Sequence, residues 1–209
     1  MPPAWIRPLS SSPTASPTPK VEAKNVKDLI AFAKANPGKL NYASQGIGTA
    51  AHLIAELFNS MAAVQITHVP YKGSGPALND LVAGHVDIMF GELAPSFPHV
   101  QAGKLKALAV SGDKRVAALP NVPTVNEVLP GFVVTSWWGI VGPPDMPAAL
   151  TSRISSAVGE VMKQPAVTTR LNDMSMVSTG SSSAEFAKFI GAEAERWGNV
   201  IRISGAKAQ

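Results

Sequence analysis

The sequence predicts an α/β fold, a mostly parallel sheet covered by helices. Three observations carry the prediction. Short apolar segments alternate with helical periodicities from Asn25 to Val110. The connections between them are short and rich in Gly, Pro, Asn and Ser. Hydrophobic residues make up 45% of the 209 residues, ample for a buried core.

The elements follow in order. Residues 1–24 begin with a stretch rich in Pro and Ser (MPPAWIRPLSSSPTASPTPK). Such a stretch buries too little apolar surface to offset its ordering entropy, so it is expected to be disordered or loosely draped, with Trp5 and Ile6 as local anchors. Asn25 is placed to cap a helix carrying Val26, Leu29, Ile30 and Phe32, ended by Asn36-Pro37-Gly38. Leu40 to Ala43 reads as a strand. Thr49 is expected to cap a second helix with Leu53, Ile54, Leu57 and Phe58 on one face. The pattern then repeats: strand 64–69, helix 76–83 ended by Gly84, strand 86–90, helix 95–102, strand 105–110. Thr124 starts a short helix. Phe132 to Val141 (FVVTSWWGIV) is a long apolar strand candidate, stopped by Gly142-Pro143-Pro144. Helices are expected over 147–163, 166–173 and 183–203, the last with Phe186, Phe189, Ile190, Trp197, Val200 and Ile201 as its apolar stripe. The chain is expected to divide into residues 25–131, a β-α module, and residues 132–209, one strand with several helices.

Composition narrows the function. The formal net charge of +4 is spread out, and no basic-aromatic array accompanies it, so nucleic acid is not an expected partner. The absence of Cys excludes disulfides, thiolate metal sites and cysteine nucleophiles. His52, His68, His85 and His99 show no metal-ligand spacing with carboxylates. Ser44 and Ser74 lack the nucleophile-elbow pattern, and no paired carboxylates suggest glycosidase chemistry. No run of about 18 apolar residues exists, and residues 1–20 do not read as a secretory signal. The sequence calls for no cofactor.

What remains is a binding pattern. The loop Ser44-Gln45-Gly46-Ile47-Gly48-Thr49 joins a strand to a helix. Its glycines permit close backbone approach, and a helix N-terminus attracts anions. It lacks the Lys of a phosphate loop and the glycine spacing of a dinucleotide loop. The same residues also suit an ordinary tight turn. His52 follows in the helix's first turn, either as a donor to a bound anion or as a helix-surface residue. Tyr71-Lys72-Gly73 follows the next strand, and Phe90-Gly91-Glu92 ends the third. Three successive strand ends of this kind make a site more credible than any one alone. Of Trp137 and Trp138, adjacent on a strand candidate, at most one is expected to line a cavity.

The runs AKNVKDLIAFAKANPGKLNYASQGIGTAAHL, THVPYKGSGPALNDLVAGHVDIMF, PHVQAGKLKALAVSGDKR, ALPNVPTVNEV and SWWGIVGP are long and collinear. Over residues 23–206 the chain closely resembles the tripartite tricarboxylate transporter substrate-binding family, also called Bug proteins. The resemblance implies a type II periplasmic-binding-protein fold with two α/β lobes, a non-enzymatic role, a periplasmic location, a small organic carboxylate as ligand and membrane transporter subunits as partners. It implies that residues 25–131 are one complete lobe and residues 132–209 the returning part of an incomplete second one. The ligand residues it implies are Ser44, Gln45, Gly46, Gly48, Thr49, His52, Tyr71, Lys72, Gly73, Phe90 and Trp138. Gly91-Glu92 departs from the Asp-Asn that many members carry there, and Glu92 would repel a second carboxylate.

Family members carry a secretion signal and a further segment of about a hundred residues that nothing here matches. A truncated receptor with weak or absent affinity is therefore expected. The full-length family is expected to be monomeric, and an incomplete lobe gives self-association as a competing expectation. A small α/β hydrolase is the remaining alternative.

Overall fold

A computed structural model describes residues 3–8, 23–173, 176 and 178–204. Five strands form one sheet in the order β3-β2-β4-β1-β5. They are β1 (Pro3–Pro8), β2 (Asn41–Ser44), β3 (Thr67–Pro70), β4 (Ile88–Glu92) and β5 (Leu105–Val110). Strand β2 lies parallel to both β3 and β4, while β1 runs antiparallel between β4 and β5. The sheet is thus mostly parallel, with one reversed strand.

Strand β1 corrects the expectation of a draped start for residues 3–8. The backbone pairs from Pro3↔Glu92 to Ile6↔Met89 on one side and from Ala4↔Val110 to Pro8↔Leu105 on the other. Unpaired edges on β4 and β5 would each leave a row of open backbone groups, and one extended segment satisfies both. Two of its prolines sit at the strand's ends, where a missing N–H costs least. The rest of the Pro/Ser-rich stretch lies outside the described residues.

The helices follow the periodic pattern. Helix α1 (Val26–Ala35) starts where Asn25 Oδ1 accepts from the Asp28 N–H (2.9 Å), and it buries Val26, Leu29 and Ala33. Helix α2 (Ala50–Ala62) buries Ala51, His52, Ile54, Ala55, Phe58 and Ala62. Its inner face is rotated from the expected one: His52 is 7% exposed, whereas Leu53 and Leu57 are only half-buried. Helix α3 (Ser74–Ala83) ends at Gly84, whose φ of 79° closes the left-handed cap. Helix α4 (Leu93–Gln101) leads into β5. A short 3-10 helix, Val125–Glu127, starts at Thr124 as the sequence suggested, and Thr124 and Glu127 close it with a capping box.

The core lies where α2 packs on β2 and β4. Tyr42, Phe58, Phe90 and Phe132 are fully buried. Phe58 meets Phe90 at 5.8 Å and Phe132 edge-on at 6.2 Å between ring centroids. Each such ring contributes about 1.5–3 kcal/mol by leaving water.

The strand expected over Phe132–Val141 does not form. Only its start is held: Phe132 and Val134 are buried, the Val134 N–H donates to Ser111 O (2.7 Å), and Ser111 Oγ donates to Val134 O (2.6 Å). Apolar composition alone does not make a strand; a neighbouring edge is needed to pair with. Ile140 and Val141 are 70% and 76% exposed.

The chain divides into two compact units. One holds residues 2–136 with 200–209, and the other holds residues 137–199. The second unit contains α5 (Ala148–Met162), α6 (Pro165–Asp173) and most of α7 (Ser183–Ser204). Within it Trp137 packs edge-on against Phe186 (5.7 Å) and Phe189 (5.3 Å). The Trp197 indole N–H donates to Glu193 Oε2 (3.0 Å).

Candidate functional site

Because β2, β3 and β4 run the same way, their carboxyl ends share one edge of the sheet. Ligands of open α/β sheets sit at that edge. The loops leaving it are tied together: the Tyr71 N–H donates to Ser44 O (3.0 Å) and the Gly73 N–H to Gln45 O (3.1 Å). Gly46 has a φ of +141°, a backbone conformation that residues with a Cβ rarely adopt, so this turn favours glycine.

Beneath the glycine loop three rings are stacked. Between ring centroids Tyr42 lies 4.8 Å from His68, and His68 lies 4.1 Å from His52, with nearly parallel ring planes in both cases. Each ring holds a neighbour. Tyr42 Oη donates to Glu56 Oε1 (2.6 Å), which together with burial raises the phenol's pKa. The Gly48 N–H donates to His52 Nδ1 (3.1 Å), so neutral His52 carries its proton on Nε2. Ser44 Oγ accepts from the Gly46 N–H (3.1 Å) and stands 2.6 Å from His68 Nε2. The Ser44 hydroxyl has two acceptors within reach, His68 Nε2 at 2.6 Å and Gly46 O at 3.1 Å, and Gly46 O also accepts from Thr49 Oγ1 (2.7 Å). Burial, and then the neighbouring His52, hold His68 down at about 4. Burial also lowers His52, against the opposing pull of the Glu56 carboxylate. Both imidazoles are neutral at pH 7.

This network redistributes the expected roles. Ser44 is completely buried, and its hydroxyl fixes the loop's shape. Thr49 occupies the N-cap position of α2 without a side-chain cap bond, because its hydroxyl turns back to Gly46 O. The Nδ1 of His52 is engaged by Gly48. Ser44 and His68 are close enough for a nucleophile–base pair, but a fully buried hydroxyl offers no approach to a substrate.

The open part of the edge is a small cleft lined by Gln45, Ala50, Ala51, Ile54, Phe90, Gly91, Glu92 and Ser136. Its volume of about 20 Å³ has room for about one water. Gln45 and Phe90 of the expected set line it. Gly46, Gly48 and Gly73 shape the loops around it. Tyr71 is half-buried and donates through its hydroxyl to Asp80 Oδ2 (2.7 Å), which with burial pushes it up to about 12. Lys72 is exposed in the same turn. Trp138 belongs to the second unit and is 57% exposed; Ser136 lines the cleft from the neighbouring part of the sequence. Sequence reasoning missed Ala50, Ala51 and Ile54, which carry no chemical signal except their place at the start of α2. Among the described residues no group of three His, Cys, Asp or Glu could hold a metal ion, and no helix is long and apolar enough to cross a membrane.

The model of the tripartite tricarboxylate transporter family receptor matches residues 5–206. The chain belongs to this family. Its members are receptors rather than enzymes, which sets the hydrolase reading aside. A UPF0065 protein from the tcbD-tcbE intergenic region of Pseudomonas sp. strain P51 is 36% identical over 180 residues, 85% of this chain and 54% of its own length. Protein BugT of Bordetella pertussis is 32% identical, over 90% of this chain and 58% of its own. Among solved structures, R. palustris Rpa4515 with adipate matches at a TM-score of 0.83 and 31% identity, covering 98% of this chain and 66% of that one. MatC from Rhodopseudomonas palustris with bound malate matches at 0.79 and 29%, covering 96% and 66%. The chain thus spans between about half and two thirds of the length of these four relatives.

Proposed function

We infer that this receptor chain contributes to the capture of a small organic carboxylate in the periplasm, for delivery to a tripartite tricarboxylate-type transporter. The observation that carries the reading is the cleft on the carboxyl edge of β2 and β4. Gln45 lines it together with Ala50 and Ala51, the first residues of α2, where a helix leaves its N–H groups without intrahelical partners. Neutral donors of this kind hold a carboxylate without a buried Arg, directly or through bridging water. The stacked rings and the Ser44 hydroxyl keep the glycine loop in position. Adipate on Rpa4515 and malate on MatC support the ligand class. The location and the transporter partner follow from the family.

Calorimetric titration with a panel of mono- and dicarboxylates tests the reading. Saturable binding by at least one member, weakened about tenfold in Gln45→Ala by loss of one donor, is expected. No binding by any member up to about 10 mM, an affinity weaker than roughly 3 kcal/mol, contradicts it.

One observation favours a second reading, self-association. In the unit of residues 137–199, Trp138, Ile140 and Val141 are 57%, 70% and 76% exposed, and α5 buries no residue. Light scattering separates the two, because a strict monomer at all concentrations rules out association through this face.

A further inference from the structure

Helix α5 carries an apolar seam that nothing among the described residues covers. None of its 15 residues is buried. Leu150, Ile154, Ala157 and Val161 recur at spacings of four, three and four, so they share one helix face. All four are exposed. Thr151, Ser155, Val158 and Met162 each follow a seam residue by one position and are half-buried. They mark the side of the helix that is turned inward, and the seam lies beside that side rather than on it. The charges of α5 are placed with equal regularity. Arg153 and Glu160 are its two charged residues, and each directly precedes a seam residue, Ile154 and Val161. Both therefore border the seam on its outer edge. Seven positions apart, they stand about 10 Å from one another along the helix, too far to pair. The ion pairs among the described residues are His85–Asp80, Arg115–Glu127 and Arg196–Glu193, and neither Arg153 nor Glu160 takes part in one.

We propose that this seam is an interface between two copies of the chain, which pair their α5 helices antiparallel about a two-fold axis lying between Ile154 and Ala157. Leu150 then packs on Val161 of the second copy, and Ile154 on its Ala157. The same register sets Arg153 against Glu160 of the second copy, and the axis repeats the contact, so both charges of both helices are answered. A parallel pair would set Arg153 against Val158 and leave Glu160 facing the end of the helix. The charge pattern therefore selects the antiparallel arrangement and the second copy as occupant. The inference rests on the self-association reading and deepens it, and it is independent of the carboxylate cleft. The two-fold pairing uses up the seam, so association stops at the dimer. A seam on one helix of this length buries less than about 1,200 Å² in total, which places the dimer among weak, reversible ones, with a Kd of about 10–100 µM.

The test is analytical ultracentrifugation of the 209-residue chain from about 1 to 300 µM, a range that brackets the expected Kd. Arg153→Glu, Glu160→Arg, the double variant carrying both, and Ile154→Ser are run alongside, and circular dichroism verifies that each is folded. The wild type is expected to show a reversible monomer–dimer equilibrium. Each single charge reversal sets like charges against each other twice and weakens association at least about tenfold. The double variant restores it to within about threefold of wild type, as does an equimolar mixture of the two single variants. Ile154→Ser weakens association at least about tenfold by removing the central apolar contact. Single reversals that associate like the wild type, a double variant that stays weak, or growth beyond the dimer overturns the inference and leaves self-association through another face standing. A strict monomer across the whole range overturns both.

Discussion

Acid should loosen the ligand edge of the sheet before it unfolds the rest of the lobe, because the glycine loop rests on two neutral histidines. His68 is held at about 4 against an ordinary value of 6.5, by burial and by the His52 ring beside it. Between these values the unfolded chain binds a proton that the folded chain refuses. Stability is therefore fully present above pH 6.5 and is lost as pH falls through the window toward 4. A shift from 6.5 to about 4 corresponds to at most about 3.4 kcal/mol, at roughly 1.4 kcal/mol per unit. The ring is only half-buried, and solvent screening reduces this to roughly 1–2 kcal/mol. For a domain of this size that amounts to about 3–6 °C in Tm. His52 acts in the same direction, and its protonation has a local effect as well. A proton on Nδ1 would face the Gly48 N–H, donor against donor, and break the 3.1 Å bond that holds the loop. Asp87, raised by burial, contributes a slope of the opposite sign at lower pH, so the comparison is made against a variant. Thermal melts of wild type and His68→Phe between pH 7.5 and 4.5 provide the assay. The wild type should lose stability from pH 6.5 downward, and His68→Phe should show a shallower slope with a lower Tm at pH 7.5. Identical slopes in the two proteins would refute the assignment of the window to this ring.

Other outcomes follow from the same geometry. Ser44→Ala removes the partner of the Gly46 N–H and of His68 Nε2 from a completely buried position, and should cost about 1–3 kcal/mol in urea denaturation. Gly46→Ala places a Cβ on a backbone with a φ of +141°, and about 1–3 kcal/mol of destabilisation is expected in the same assay. Phe132→Ala empties a fully buried site against Phe58 and should cost about 3–5 kcal/mol. Trp138→Ala, at a position 57% exposed, should move stability by less than about 0.5 kcal/mol.

Much of the fold was legible because local signals agreed with it. Asn25, Thr124 and Gly84 each encode a helix boundary in side-chain or φ chemistry, and each appears where expected. The β-α alternation from Asn25 to Val110 was equally clear. Non-local pairing was less visible. Nothing in the composition of Pro3–Pro8 announces a strand, because that strand exists by virtue of the two edges it joins. Conversely FVVTSWWGIV has every strand residue and no edge to pair with. The shared carboxyl edge of β2, β3 and β4 could be read from three successive loops. The assignment of roles within it could not, because periodicity does not reveal which hydroxyl turns inward. Thr49 and Ser44 bond Gly46, and His52 rotates inward to take the Gly48 N–H.

The central claim is that the carboxyl edge of β2 and β4 takes a carboxylate head group. Amide chemical-shift mapping of the isotope-labelled chain during titration with the tightest-binding member of the mono- and dicarboxylate panel tests it most directly. The largest shifts should fall on the amides of Gln45 to Ala51 and of Gly91 and Glu92, with the helices of residues 137–199 unmoved. Shifts confined to those helices, or none at all at saturating ligand, would contradict the claim.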